Sequence, residues 1–341
     1  MRRVALAVGF VALVVLLVGA LLPTGGRGRF AVRTLAPAAA LTPPSKPLVA
    51  HVVGSDIPAS RYGGIIARLE NGGTNADGQL VSELSPIPPS RFDAPIAEYR
   101  SYAVKWAHAT AAAVAAMRSA LAHGTRAFAQ SAWLAAWTRY LRLGAVYGLI
   151  GSLDTAIDGM PGELGSTSFR GLHRIELGLW TGATLRSLKP LAAALAASVA
   201  RLPHAVEIAA ITPLDYATRA HEILEDAQRD LLSGSDVQWS GEGVSGTAMG
   251  VAATREVIAT LVPLLQGRDN TLVEVQNELE LLSATLTRIR MAHGGDWPSL
   301  AQLSLAEHDR LDATMAGALT QLAQLPGTLE TAPTPTPPPL P

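Results

Sequence analysis

The pair with the clearest chemical potential is His173 and Glu176, in Phe169-Arg170-Gly171-Leu172-His173-Arg174-Ile175-Glu176-Leu177-Gly178-Leu179-Trp180. On a helix, residues three apart are neighbours on one face. An imidazole and a carboxylate placed so can grip one cation, the donor combination used in metal sites of helical bundles. Taken alone, H-x-x-E recurs by chance, and a surface ion pair or a hydrogen-bonded histidine is its commoner meaning. A second pair, Asp154 and Asp158, lies in Ser152-Leu153-Asp154-Thr155-Ala156-Ile157-Asp158-Gly159. Four apart on a helix, the two carboxylates repel, and a bound cation would relieve that. The plain alternative is a solvated helix end, but acidic residues near a helix C-terminus are disfavoured by the helix dipole. A third group, Ala220-His221-Glu222-Ile223-Leu224-Glu225-Asp226, is rich in donors. There His221 continues the stripe of Leu214, Ala217 and Leu224, which reads as a packed histidine with solvated neighbours.

Other chemistries leave no trace. The chain has no cysteine, which excludes thiolate metal sites, disulfides, cysteine nucleophiles and lipid attachment through an N-terminal cysteine. No H-E-x-x-H or H-x-x-E-H zinc-peptidase helix, no G-x-S-x-G elbow and no phosphate loop is present. The Gly241–Gly243 and Ser245-Gly246 stretch reads as a linker. With 27 basic and 28 acidic residues the net charge is −1, and no basic stripe exists, so nucleic-acid binding is excluded.

The elements that must position these residues are helices. Hydrophobic residues make up 48% of the 341-residue chain, enough for a sizeable core, and much of that fraction is alanine, the best helix former. From Asp93, read as an N-cap, the residues Ile96, Tyr99, Ala103, Trp106, Thr110, Ala113, Met117 and Ala120 recur in steps of three and four, one stripe along a helix. Gly124 ends it. Thr125 caps a second helix running toward Gly159, with Gly144, Gly148 and Gly151 as points where it bends or breaks. Further helices are expected over 169–180, 185–202, from Thr212-Pro213 to before Gly234, 247–265 and 271–293. The last opens with the capping box Ser304-x-x-Glu307 and ends at Pro326. Short connections imply antiparallel neighbours, so the fold class is all-α, one or two antiparallel helix bundles.

The ends read differently. Met1-Arg2-Arg3 precedes an uncharged run from Val4 to Leu22, near the ~20 residues that span a bilayer. With the arginines retained inside, residues 1–23 are an N-terminal membrane anchor or signal segment. The body is then extracytoplasmic, and secreted or periplasmic if the segment is cleaved. Residues 24–92 read as tether and irregular region, with a short helix expected over 60–70. The Thr/Pro-rich tail, 329–341, cannot build a core.

The run Phe-x-Gly-x-His-Arg-Ile-Glu-x-x-Leu-Trp resembles the signature of the imelysin-like domain of the EfeO/EfeM iron-uptake proteins. Leu153-Asp154-x-x-Ile157-Asp158 upstream, and Ala220 to Asp226 followed by Ser233-Gly234 downstream, are similar to that family's segments in the same order. The likeness spans 93–328. It implies a double four-helix bundle and a metal-binding component of an iron (or other divalent cation) uptake system. It implies also His173 and Glu176 as metal ligands, with Asp154 and Asp158 as further ligands or as supports of the ligands, and a membrane iron permease as partner. An imidazole with carboxylates suits iron, zinc or manganese better than Cu(I). A ligating imidazole must be neutral, so affinity is expected to fall as pH drops through ~6.5, the reference histidine pKa.

The family is also classed with peptidases, but no complete catalytic constellation is visible, so no enzyme activity is expected and a metallopeptidase is the least favoured alternative. Two acids that the family often carries in Tyr-Glu-x-Ile-Glu are Leu141 and Gly144 here, which makes a helical scaffold or partner-binding protein with a decayed metal site the alternative. A cupredoxin domain does not fit in 24–92, so the likeness is to the short EfeM-like form.

Overall fold

The computed structural model describes residues 84–161 and 169–332. The apolar N-terminal run, the tether, the helix expected over 60–70 and the tail beyond Ala332 lie outside the described residues. The chain is all-α. Among the described residues the only bridge of extended backbone is an isolated parallel pair, Ile87 with Thr331.

A 3-10 turn, Pro89–Phe92, leads into α1, Asp93–His123. Asp93 is the first helical residue rather than the cap, and its carboxylate still sits in the first turn, where the helix dipole favours it. The buried stripe runs through Tyr99, Ala103, Ala107, Thr110, Val114, Met117 and Leu121. Thr125 caps α2, Arg126–Leu141, its hydroxyl accepting the Phe128 N–H at 3.3 Å. The continuous helix expected to Gly159 breaks after Leu141 into two 3-10 turns, Gly144–Val146 and Gly148–Ile150, followed by the short α3, Ser152–Asp158. Gly144 has φ +48°, outside the helical region, so the backbone turns there. The Tyr99 hydroxyl pins the turn, donating to Leu143 O at 2.6 Å and accepting from Ala145 N at 2.9 Å.

The H-x-x-E segment forms α4, Leu172–Trp180. The next expected helix is two, α5, Leu185–Val199, and α6, Leu202–Ile208. Thr212 caps α7, Pro213–Asp226, with proline at its start, and the helix widens into a π turn over Ala227–Leu231. Its buried face is Tyr216, Ala217, Ala220, Ile223 and Leu224, whereas Leu214 is exposed. His221 therefore lies at the edge of that face, half-buried, with Nδ1 3.5 Å from Glu225. Next comes α8, Gly243–Leu265. It absorbs part of the Gly/Ser stretch read as a linker, because small buried residues from Gly243 to Thr247 let this helix pack close to its neighbours. Two helices packed on each other finish the body: α9, Thr271–Ala292, and α10, Leu305–Leu322, the latter with both halves of the expected capping box. A final turn, α11, covers Leu325–Thr328.

Contacts divide the helices into two groups. In the first, α1 packs on α2, α5 and α6, while α4 bridges α2 and α5. In the second, α7 packs on α8, α8 on α9, α9 on α10, and α10 on α7. Central to both is α8, which also meets α1 and α2. Its apolarity follows from that position. Stretches 185–208 and 243–265 are long and apolar enough to cross a membrane by length and composition, as core helices often are. The core holds Trp133, Trp137, Tyr99, Tyr140 and Tyr216, all shielded from solvent. The two ends of the described body meet: besides the Ile87 bridge, Arg268 donates to Thr328 O and to Ser85 O.

Candidate metal centre

The motif glycine decides how α3 and α4 meet. Gly171 begins α4 with φ +88°, a conformation L side chains rarely adopt, and any Cβ there would collide with the Ile157 carbonyl of α3. Only glycine allows that approach. The consequence is that Asp158, at the end of α3, stands beside His173, in the first turn of α4. Side chains from α2 hold α4 at both ends. The Trp133 indole donates to Leu172 O at 2.8 Å, and Arg126 donates to Leu179 O at 2.7 Å and Ala183 O at 2.6 Å.

His173 and Glu176 are both wholly buried. Glu176 Oε2 lies 2.9 Å from His173 Nδ1, and Glu176 Oε1 accepts the Ser240 N–H at 2.8 Å. On the other side of the ring, Nε2 lies 3.2 Å from Asp158 Oδ1. This pair is close but not aligned as a hydrogen bond, and both atoms are buried without a hydrogen-bond partner. Burial alone would lower the histidine pKa, but Asp158 first and Glu176 next outweigh it and hold the pKa at about 10. In the metal-free protein the ring is therefore an imidazolium between two carboxylates. Trp133 and Trp137 meet the ring in T-shaped contacts, each with centroid 6.5 Å away.

Asp158 is the link from this buried ring to the surface. Its side chain is 20% exposed and lines a cleft of about 870 Å³, together with Asp154 and Tyr147. Tyr140, buried under the cleft, donates a short hydrogen bond to Asp154 Oδ1. The stacked Tyr147 donates to Leu141 O. Burial drives both phenol pKa values well up, and Asp154 and Asp158 add to it. From α7 and its π turn come Arg219, Asp226 and Asp230. Arg229 pairs with Asp226 at 2.7 Å and Asp230 at 2.6 Å. Burial raises the Asp226 pKa against the pull of Arg229.

The structure thus gathers Asp158, His173 and Glu176 in one chain of contacts and sets Asp154 in the same cleft. The third sequence group converges there as well, through Asp226 rather than His221. Sequence reasoning took Asp226 as solvated and missed Tyr147, Asp230 and the Ser240 amide. The π turn that aims Asp230 inward has no sequence signature, since it depends on how α7 meets α8.

A cation that displaced the Nε2 proton would find two donors here, Nε2 and Asp158 Oδ1. Metal bonds of ~2.1 Å to imidazole nitrogen and carboxylate oxygen, meeting at roughly 100°, span the observed 3.2 Å. Among the described residues, no three His, Asp or Glu side chains converge as a ready cage. Leu141 closes part of the cleft where a further carboxylate would reach it. Gly144 cannot supply one either, because a Cβ there would come 2.9 Å from Ala253 Cβ and Tyr99 Oη.

Compared with models of known protein families the chain matches none, and it matches no curated protein.

Proposed function

We propose that this chain is an extracytoplasmic metal-binding component of an uptake system for iron or another divalent cation, capturing its cargo at the Asp158–His173 edge. One observation carries the reading: an imidazole nitrogen and a carboxylate oxygen, His173 Nε2 and Asp158 Oδ1, face each other at 3.2 Å as a buried ion pair, beneath an acid-lined cleft. The two form a buried ion pair, and a cation that took the place of the Nε2 proton would bind both atoms at once. The order of the three motifs, which resembles the imelysin-like domain of EfeO/EfeM, supports the same reading, and so does the N-terminal anchor expected from the sequence. On this view Asp154 and Asp158 attract the cation at the cleft. The cation then displaces the proton on Nε2, and no bond is made or broken in the cargo. A membrane iron permease would receive it.

Leu141 and Gly144 favour a second reading, a helical scaffold whose site has lost ligands and whose histidine is a structural imidazolium. Metal content and calorimetric titration of the full-length chain in detergent separate the two. Stoichiometric iron, cobalt or zinc binding, lost in His173→Ala and in Asp158→Asn, is expected. A wild-type chain that takes up no cation between pH 6 and 9 overturns the proposal in favour of the scaffold.

A further inference from the structure

His173 and Glu176 sit three residues apart, the spacing at which two side chains can share one ion. The geometry does not use it that way. Glu176 Oε2 meets His173 at Nδ1, 2.9 Å away, while the nitrogen without a hydrogen-bond partner is Nε2 on the opposite side of the ring. The two ring nitrogens point away from each other, so an ion on Nε2 is beyond reach of a carboxylate bound to Nδ1. The second oxygen is not idle either. Oε1 accepts the Ser240 N–H at 2.8 Å, and no part of the side chain reaches solvent. Ser240 lies in the loop between the π turn and α8 that contributes Ser235, Asp236 and Gln238 to the cleft.

We propose that Glu176 is the positioning residue of the centre and not a ligand: it holds a proton on Nδ1 of His173, keeps Nε2 turned toward Asp158, and ties the 232–242 loop to the same ring. This rests on the reading of Asp158 and His173 as the gripping pair. Ligating histidines commonly donate their other N–H to a carboxylate, which fixes the tautomer and raises the basicity of the ring. Glu176 adds a second effect. Its two oxygens connect the ring to the loop by two direct hydrogen bonds, so the cleft wall and the imidazole keep one register.

The test uses the full-length chain and cobalt(II), whose visible spectrum reports its ligands. Glu176→Gln keeps the side-chain shape but removes the charge and one acceptor. The expected result is a 10–100-fold loss of cobalt affinity with the wild-type band positions and intensity at saturation, while Asp158→Asn changes the spectrum itself. A Glu176→Gln spectrum that differs at saturation makes Glu176 a ligand and overturns the proposal. Unchanged affinity with a lowered melting temperature makes it merely structural and overturns it too.

Should the variant not fold, nitrogen-15 NMR of histidine-labelled wild type decides. In the zinc-loaded protein, Nδ1 protonated with Nε2 metal-shifted supports the proposal, and metal on Nδ1 refutes it. If wild type binds neither cobalt nor zinc, the cation reading has failed. The metal-free spectrum then judges Glu176 separately: an Nδ1 proton protected from exchange supports its hold on the ring, and rapid exchange refutes it.

Discussion

Gly171 lies against the main-chain carbonyl of Ile157, with φ +88°. That contact sets α3 on the start of α4 and so brings Asp158 to His173. Gly171→Ala forces a strained backbone and a clash with a carbonyl that has nowhere to move. The expected cost is at least about 1–3 kcal/mol, read as a lower urea midpoint. Since the clash separates α3 from α4, cation binding should fall with it. A variant as stable as wild type would mean that the two helices slide apart freely, and the site would then owe nothing to this contact.

Protonation of His173 sets a pH dependence on the metal-free fold. The folded pKa is about 10, above the ~6.5 of an unfolded histidine. Between those values the folded state holds more protons, so stability falls as pH rises. The contribution is complete below ~6.5 and gone above about 10, and at about 1.4 kcal/mol per unit it is on the order of a few kcal/mol. Urea unfolding from pH 6 to 10 should show this decline in wild type and a flatter profile in His173→Gln. With two carboxylates against the buried ring, the pH below which cation affinity falls should lie above the 6.5 expected from the sequence. At pH 7, calorimetry in buffers of different ionisation enthalpy should find about one proton released per bound cation.

Leu141 and Gly144 call for opposite outcomes. Leu141 lines the cleft beside Asp154 and Asp158. Leu141→Glu should cost on the order of 2 kcal/mol without metal and raise cation affinity about tenfold or more, ~1.4 kcal/mol. Gly144→Glu should gain nothing and destabilise by about 3 kcal/mol or more, through positive φ and overpacking against Ala253 and Tyr99. Titration calorimetry with urea unfolding distinguishes them. An affinity gain at 144 would show that the turn can rebuild itself as helix.

The tryptophans offer an internal probe. Trp133 and Trp137 stack with centroids 5.4 Å apart, and both make T-shaped contacts with His173. Cobalt(II) held at Nε2 should quench their emission in a saturable way, closed-shell zinc should quench it little, and His173→Ala should abolish the cobalt effect. Equal quenching in that variant would place the bound ion elsewhere.

Helix identity was legible because it depends on local spacing. The stripe of α1, the Thr125 and Thr212 caps, the proline at the start of α7 and the Ser304/Glu307 capping box are all one-turn patterns. The interruptions were legible only as glycines. That Gly144 turns the chain while Gly246 sits inside α8 depends on what each packs against. Leu214 was misplaced for a related reason: it fits the helical period but faces away from the core, because the neighbours of α7, not its sequence, choose which face is covered.

What the sequence determined by itself is an all-α chain, with His173 and Glu176 one helical turn apart and an Asp154/Asp158 pair on another turn. Periodicity and capping act over three or four residues and need no partner. Tertiary structure decided which nitrogen of His173 meets which carboxylate. Spacing made Glu176 look like the second ligand. Packing gave its oxygens to Nδ1 and to the Ser240 amide, and left Nε2 to Asp158, fifteen residues away. Ring orientation is fixed by contacts from other elements, here the glycine-tight junction of α3 with α4 and the tryptophans of α2. No single stretch of chain encodes it.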